Sequence, residues 1–510
     1  MFQSVLQRRV AYTCSDRKLF WVGIDTMVLF TAADVRAIDQ ALIQDYGISG
    51  INLMKRAARA CVHSIDQYFA DVSHFLVYCG SGNNAGDGYL IAAMLADRGH
   101  HVDVVVVGEK KKLKADARQA LVLCEQSSAR FCAVEVISEE CLIVDALLGI
   151  GVVGPVRAEY RKVIQDINES AAAVLSVDLP SGLCADTGVS FGACVKATVS
   201  VTFIGQKRGL YCNDGPDMAG RICFSDLGAP ASVYLQVNPN PVEILAEQYL
   251  PTRSRRGYKN QYGHILLVGG NQGMAGAIIL AAEAALRSGA GLVSVATRAA
   301  NIGPLLSRCP EVMAHAVASG DDLITLLEKS TSIVVGPGLG RDEWALELFS
   351  AILGSGKPMV VDADALNMLA VAPRYYEHWI LTPHSKEAAR LMGESEVDDD
   401  RFKVAEELQK RYGGVTVLKG LGSLVHGGEQ LSLCPFGNPG MASAGMGDVL
   451  AGVIGSLIGQ TSSLYQAACM GVVNHARAAE QLTGELGEVG LIASDLPIAI
   501  GRCLSGRDAS

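Results

Sequence analysis

Apolar residues along this chain fall into short continuous runs, separated by longer stretches in which they recur every three or four positions. In the first half the runs are FLVYCG (75–80), VDVVVVG (102–108), CLIVDAL (141–147), AVLSVDL (173–179) and ATVSVTFI (197–204). Continuous apolar runs of this length read as strands buried on both faces. The intervals between them leave room for one helix per crossover, so a parallel sheet with right-handed connections is expected. Two helical patterns precede it, AADVRAIDQALIQDYG (32–47) and INLMKRAARACVHSIDQYF (51–69).

The second half repeats the grammar with different motifs. Its runs are HILLVGG (264–270), GLVSVAT (291–297), SIVVGPG (332–338), PMVVDAD (358–364), WILTPH (379–384) and VTVLKG (415–420). GSLVHGGEQLSL, divided at His426-Gly427-Gly428, reads as a hairpin. Between the halves, 226–243 is rich in Pro and Asn and loses periodicity, which marks a boundary. The expected division is a leader over 1–26, disordered or preceding a true start at Met27, then one domain over 27–240 and another over 241–510. At ~150 residues per domain, 510 residues also allow two large α/β domains.

Composition narrows the choice. Hydrophobic residues make up 49% and charged residues 19%, which excludes a disordered chain. The net charge of −10, without a basic stripe, argues against a nucleic-acid partner. Anionic ligands must then be held by local amides, helix ends and cations. No apolar stretch reaches the ~20 residues of a spanning helix, so no membrane partner is expected. Fourteen cysteines without a CxxC, several inside apolar runs, suit reduced buried thiols in a cytoplasmic protein. No HExxH and no Walker A sequence occurs, which sets aside a zincin and a P-loop kinase.

Candidate chemistry gathers where strands end. FLVYC runs into Gly80-Ser81-Gly82-Asn83-Asn84-Ala85-Gly86-Asp87-Gly88, a loop able to approach an anion closely before a helix begins. Asp145 ends one strand, with Gly149, Gly151 and Gly154 behind it; Asp178 and Ser181 end another. Ligands of open parallel sheets collect at these carboxyl edges. Asn84, Asp145 and Ser181 offer oxygens suited to a hard cation of low charge. That leaves Asp178 for general acid–base work. Taken singly, Asp145 and Asp178 could equally cap loops and helices.

These residues resemble a known family. GxGNNxGDG, DALxGxG and DxPSG together look like the NAD(P)H-hydrate epimerase domain of the YjeF N-terminal type, over about 30–230. The resemblance implies a Rossmann-like three-layer αβα domain. It also implies K⁺ on Asn84, Asp145 and Ser181. Hydrated dinucleotide would contact Asn83, Asn84, Ala85, Gly86 and Asp87, then Gly149, Ile150, Gly151, Val152, Val153, Gly154 and Pro155, with Asp178 catalytic. Ala85 stands where the family usually has Gly, and Ile150 where it usually has Thr; a methyl at 85 requires a negative φ.

In the second half, NQGMAGA (271–277), GPGLG (336–340), Asp362 and Asp364, His384 and Glu387, and Lys419 each follow a strand. NPGMASAGMGD (438–448) then opens a helix with Asp448 in its first turn. Amides there can hold a transferring phosphoryl group, and Asp448 can take the proton of an attacking hydroxyl. Alone, Asp448 could be a helix cap, Lys419 a solvated lysine and His384 a loop or cap residue.

As a set, VVGPGLG, VDADALN, LTPH and GNPGMASxGMGDVLAG resemble the ADP- or ATP-dependent NAD(P)H-hydrate dehydratase domain, of ribokinase-like α/β fold, over about 255–500. The resemblance implies that Lys419, Gly420, Leu421, Gly422, Ser423 and Gly447 hold an adenine nucleotide with Mg²⁺. Ala277, Gly338, His384 and Asp448 would contact the hydrate, with Asp448 catalytic. Ser385 and Lys386 replace the Pro-Gly common after the histidine. The whole chain is then expected to epimerise R- and S-NAD(P)HX at C6 and to dehydrate the S form with ADP, releasing AMP and phosphate. It would work as a cytoplasmic homo-oligomer whose ligands are NADHX, NADPHX and ADP. The alternative is a ribokinase-like kinase of a small alcohol, fused to a non-catalytic nucleotide-binding Rossmann-like module.

Overall fold

The computed structural model describes residues 21–22, 28–133, 137–238 and 240–506. The chain forms two compact α/β units, 1–242 and 243–510. Most of the expected leader lies outside the described residues.

The first unit is built on an all-parallel sheet. Its strand order is Trp21–Val22, Arg221–Ser225, Val199–Phe203, Ala173–Val177, Leu142–Ala146, His74–Cys79, His101–Val106 and Arg130–Phe131. Side chains alternate across the sheet. Phe75, Val77 and Cys79 enter one core, with Ala57, Cys61 and Ile91 from helices Gly50–Tyr68 and Asn83–Asp97. Leu76 and Tyr78 enter a second core, with Tyr160 and Ile164 from helix Ala158–Glu169. Helices on both faces make the three-layer αβα arrangement. From His74–Cys79 the chain winds outward in one direction, and from its neighbour Leu142–Ala146 in the other. Loops leaving two such strands diverge, and a crevice opens between them.

The second unit follows the same rule. His264–Val268 lies between Leu292–Thr297 and Ser332–Val335, and the winding direction reverses there. Met359–Val361, Trp379–Leu381 and Val415–Leu418 continue in parallel. The expected hairpin follows as Ser423–His426 and Leu431–Cys434, with Gly427–Gln430 as its loop; His426 belongs to the strand. Strand Val242–Ile244 pairs parallel to Leu431–Cys434.

Two elements depart from the sequence pattern. Helix Asn83–Asp97 begins inside the glycine-rich loop rather than after it, because Asn83 to Gly88 already coil. The aperiodic stretch 226–243 holds helix Ala231–Val237; its Tyr234 hydroxyl donates to the Ile204 carbonyl at 2.6 Å and packs against Phe30. A tertiary contact there outweighs a weak local signal.

Helix Met446–Ile458, which carries Asp448, lies directly on helix Ala275–Arg287. A Cβ at Gly452 would stand 2.1 Å from the Ala281 carbonyl oxygen, so the two backbones touch. Gly452→Val should therefore lower the urea midpoint of the second unit by an amount equivalent to roughly 1–3 kcal/mol. A midpoint equal to that of the parent chain would contradict this packing.

Candidate active sites

At the crevice of the first unit, two loops meet closely. A Cβ at Gly80 would lie 1.9 Å from the Leu147 carbonyl oxygen, so only glycine fits between them. The cleft above has a volume of about 870 Å³. Asn83, Asn84, Asp87, Gly149 to Pro155 and Asp178 line it. Exposed Arg36, Lys112, Lys114 and Arg157 stand around it and supply positive charge that the net composition lacks.

Ala85 and Gly86 require a correction. Ala85 is fully buried in the apolar core, and a Cβ on Gly86 would strike Met54 and Ala117. Their side-chain positions face inward because both lie in the first turn of the helix. What Ala85 can offer a ligand is its main-chain N–H. The same helical geometry gives Ala85 the negative φ that its methyl needs; it is absent from the residues with positive φ.

Asp145 and Ser181 lie beneath the cleft wall, fully buried. Asp145 accepts from Ser181 Oγ at 2.5 Å, Ser181 N at 2.9 Å, Ser176 Oγ at 2.9 Å and Leu147 N at 3.3 Å. All these donors are neutral. Burial pushes the Asp145 carboxyl up, and the bonds from Ser181, Ser176 and Leu147 counter it. Ser181 Oγ and Asn84 Nδ2 both reach the Leu148 carbonyl, at 3.2 and 3.0 Å. Asn84, Asp145 and Ser181 are thus brought together.

Asp178 has a left-handed backbone, φ 70°, at the end of its strand. Its Oδ1 accepts from the Lys207 ammonium, from Phe203 N at 3.2 Å and from Thr202 Oγ1 at 3.3 Å. Burial lowers the Lys207 pKa, and Asp178 opposes that shift. Burial also raises Asp87, reinforced by Asp178 and Asp39. Lys207 and Asp39 line the cleft without having been singled out by any motif.

The second site forms around Lys419. Its ammonium donates to Asp362 Oδ1 at 2.8 Å and stands 3.9 Å from Glu387 Oε2. Burial alone would lower the Lys419 pKa, but Asp362, Glu387 and Asp448 hold it above the ordinary range. Asp362 is also held by Thr382 Oγ1 at 2.8 Å. A Cβ at Gly447 would come within 3.2 Å of Lys419 Nζ, so the absence of a side chain keeps this helix mouth open. The N-cap of helix Met446–Ile458 is Gly445. Asp448 therefore does not cap it; no side-chain hydrogen bond to Asp448 occurs among the described residues. Burial, then Asp362, pushes its carboxyl up to about 7, with Lys419 opposing.

His384 does cap a helix. Its Nδ1 accepts from Lys386 N at 3.0 Å and Glu387 N at 3.4 Å, while His384 N donates to Glu387 Oε2 at 2.8 Å. Burial and then Lys419 lower its pKa, in keeping with a neutral ring. Ser385 and Lys386 form the first turn of that helix. Ala277 and Gly338 lie together: a Cβ on Gly338 would be 3.2 Å from that of Ala277. The loop Gly420–Ser423 is closed on itself, with Ser423 Oγ donating to the Gly420 carbonyl at 2.9 Å. Arg401, buried and unforeseen, donates to the carbonyls of Leu418 at 3.1 Å, Lys419 at 3.2 Å and Leu421. It holds the backbone on both sides of Lys419. Its setting in DDDRFK reads as a solvated charge run, so no local signal could have found it.

Comparison with known proteins matches both halves. Residues 265–500 fit the NAD(P)H-hydrate dehydratase family, and residues 50–209 the YjeF-related protein N-terminus. The bifunctional NAD(P)H-hydrate repair enzyme Nnr of Coxiella burnetii is 42% identical over 478 residues, covering 92% of this chain and 98% of that one. Its namesake in Escherichia coli is 40% identical over 474 residues, covering 91% and 92%. A crystal structure of the ADP/ATP-dependent NAD(P)H-hydrate dehydratase from Bacillus subtilis, grown with ATP and Mg²⁺, is 29% identical. It covers 50% of this chain and 93% of that one, with a TM-score of 0.46. Aligned over nearly the whole length of both repair enzymes, the chain belongs to the family of bifunctional NAD(P)H-hydrate repair enzymes.

Proposed function

We propose that the chain restores hydrated NADH and NADPH in two steps, epimerising the hydrate at C6 on the first unit and dehydrating the S form on the second. The relatives cover both units, which disfavours a small-alcohol kinase with a passive partner domain. Eleven of the thirteen described cysteines are buried free thiols, which supports a reducing compartment such as the cytoplasm. Among the described residues no helix is long and apolar enough to cross a membrane.

On the second unit, ADP lies along Lys419 to Ser423 and the Gly447 helix mouth. The hydrate's C6 hydroxyl attacks the terminal phosphorus while Asp448 takes its proton. Phosphate then leaves C6, driven by the N1 lone pair, and loss of a C5 proton restores the C5–C6 double bond. AMP and phosphate are the other products. Magnesium suits this site as a companion of the nucleotide phosphates rather than in a protein cage, because Lys419 already engages Asp362. It would neutralise phosphate charge. His384, neutral and fixed at its helix end, with Ala277 and Gly338, forms the hydrate's side of the pocket.

On the first unit, the oxygens of Asn84, Asp145 and Ser181 fit K⁺. Asp145 is a fully buried carboxylate whose hydrogen-bond donors are all neutral, so a monovalent cation would complete its charge balance. Bound there, K⁺ would steady the Leu147–Pro155 loop. Asp178 exchanges the proton of the C6 hydroxyl. The exposed cations around the cleft face the dinucleotide phosphates.

The observation that carries the reading is Asp448, pushed up to about 7 at an open helix mouth beside Lys419. A group that ionises near neutrality suits proton acceptance. Asp448→Asn should cut nucleotide-dependent recovery of absorbance at 340 nm by roughly 10²–10⁴-fold while epimerisation continues. In the parent chain, kcat/KM for the S hydrate should rise with pH through about 7 and level off above, since the protonated acid cannot accept. Near-normal recovery in the variant, or a flat profile, removes Asp448 as the base. Asp178→Asn should leave use of the S hydrate intact and reduce use of the R hydrate to its spontaneous rate; undiminished use of R would exclude Asp178. Exchanging KCl for choline chloride should slow R-to-S conversion and spare dehydration. Equal epimerisation rates in the two salts would sink the K⁺ assignment.

A further inference from the structure

Lys207 has no place in any motif, yet its side chain is 0% exposed while forming part of the cleft wall. An ammonium carries three hydrogens. The three acceptors of Lys207 are Asp178 Oδ1, Thr202 Oγ1 at 2.9 Å and the Phe203 carbonyl at 2.9 Å. None is left for a ligand, so whatever Lys207 does for a substrate passes through a neighbour.

That neighbour is held on one side only. The hydrogen bonds from Lys207, Thr202 Oγ1 and Phe203 N all fall on Oδ1 of Asp178. Among the described residues Oδ2 receives none, and the Asp178 side chain is 14% exposed at the cleft. Asp39, Asp87 and Asp116 share the same wall. A carboxylate among carboxylates would turn outward unless a buried cation fixed it.

We propose that Lys207 is a positioning residue for epimerisation, clamping Oδ1 of Asp178 so that Oδ2 alone faces the C6 hydroxyl of the hydrate. This deepens the assignment of Asp178 and rests on it. Oδ2 takes the hydroxyl proton as the C6–N1 bond opens and C6 becomes an aldehyde. The bonding pair stays on N1, which receives the same proton from Asp178. Rotation about C5–C6 presents the other face of the aldehyde. N1 attacks it while its proton returns to Asp178, and the new C6 oxygen takes that proton back. No proton is gained or lost overall.

The test uses the full chain without nucleotide, so that dehydration is idle, and separates R and S hydrates by chromatography. Lys207→Ala and Lys207→Met should each lower kcat for R-to-S conversion by roughly 10²-fold, with KM changed by less than about threefold. Ethylammonium should restore a substantial part of kcat to the Ala variant, which leaves room for it, and none to the Met variant. A kcat within about threefold of the parent, a loss confined to KM, or an Ala variant deaf to ethylammonium would overturn the proposal. If neither variant folds, Thr202→Val decides: a fall in kcat at constant KM supports the clamp, and an unchanged kcat overturns it. A parent chain that does not interconvert the hydrates at all refutes the epimerase assignment itself, a different result from a normal parent with indifferent Lys207 variants.

Discussion

Each unit sets a lysine against an aspartate, fully buried Lys207 with Asp178 and partly exposed Lys419 with buried Asp362. Removing one member of a buried pair such as the first typically costs about 3–5 kcal/mol, whereas an apolar pair of similar volume is often as stable. Stability therefore does not explain their presence. What they supply is fixed charge at a carboxyl edge of a sheet, where a ligand must be met without help from a chain of net charge −10. The rest of each site is arranged around that charge.

The arrangement is possible because both sheets reverse their winding beside a central strand. The reversal parts two loops, and close backbone contacts then set how far they part: Gly80 against Leu147 in one unit, and Gly269 against Pro337 in the other, where a Cβ would stand 2.1 Å from the carbonyl oxygen. The two acids proposed to move protons, Asp178 and Asp448, are held differently. Three donors converge on one oxygen of Asp178. Asp448 has no such support; burial and neighbouring acids push its carboxyl up to about 7. A held carboxylate and one that ionises near neutrality suit two different proton transfers on the same coenzyme.

Much of this was legible in the sequence. Continuous apolar runs have few alternatives to buried strands, and all eleven named here became strands, ten ending one to three residues earlier than the run and Leu292–Thr297 ending with it. Elements with mixed signals were not legible. Asn83 to Gly88 read as loop because glycine and asparagine are poor helix formers, yet they open a helix packed on Met54 and Ala117. Helix Ala231–Val237 is short and follows proline, and its anchor is the distant Ile204 carbonyl.

Sequence alone determined the order of the strands and the identity of the acids at the strand ends, because these follow from local hydrophobic period and from residues adjacent in the chain. Only the tertiary structure decided where those residues are placed. Ala85 and Gly86 turn into the core, His384 closes a helix end, and Lys207 and Arg401 take places that no neighbouring residue announces. Lys207 meets Asp178 across 29 positions and Arg401 reaches Leu421 across 20. Burying a cation depends on acceptors gathered from separate elements, and such a gathering exists only once the sheet has formed.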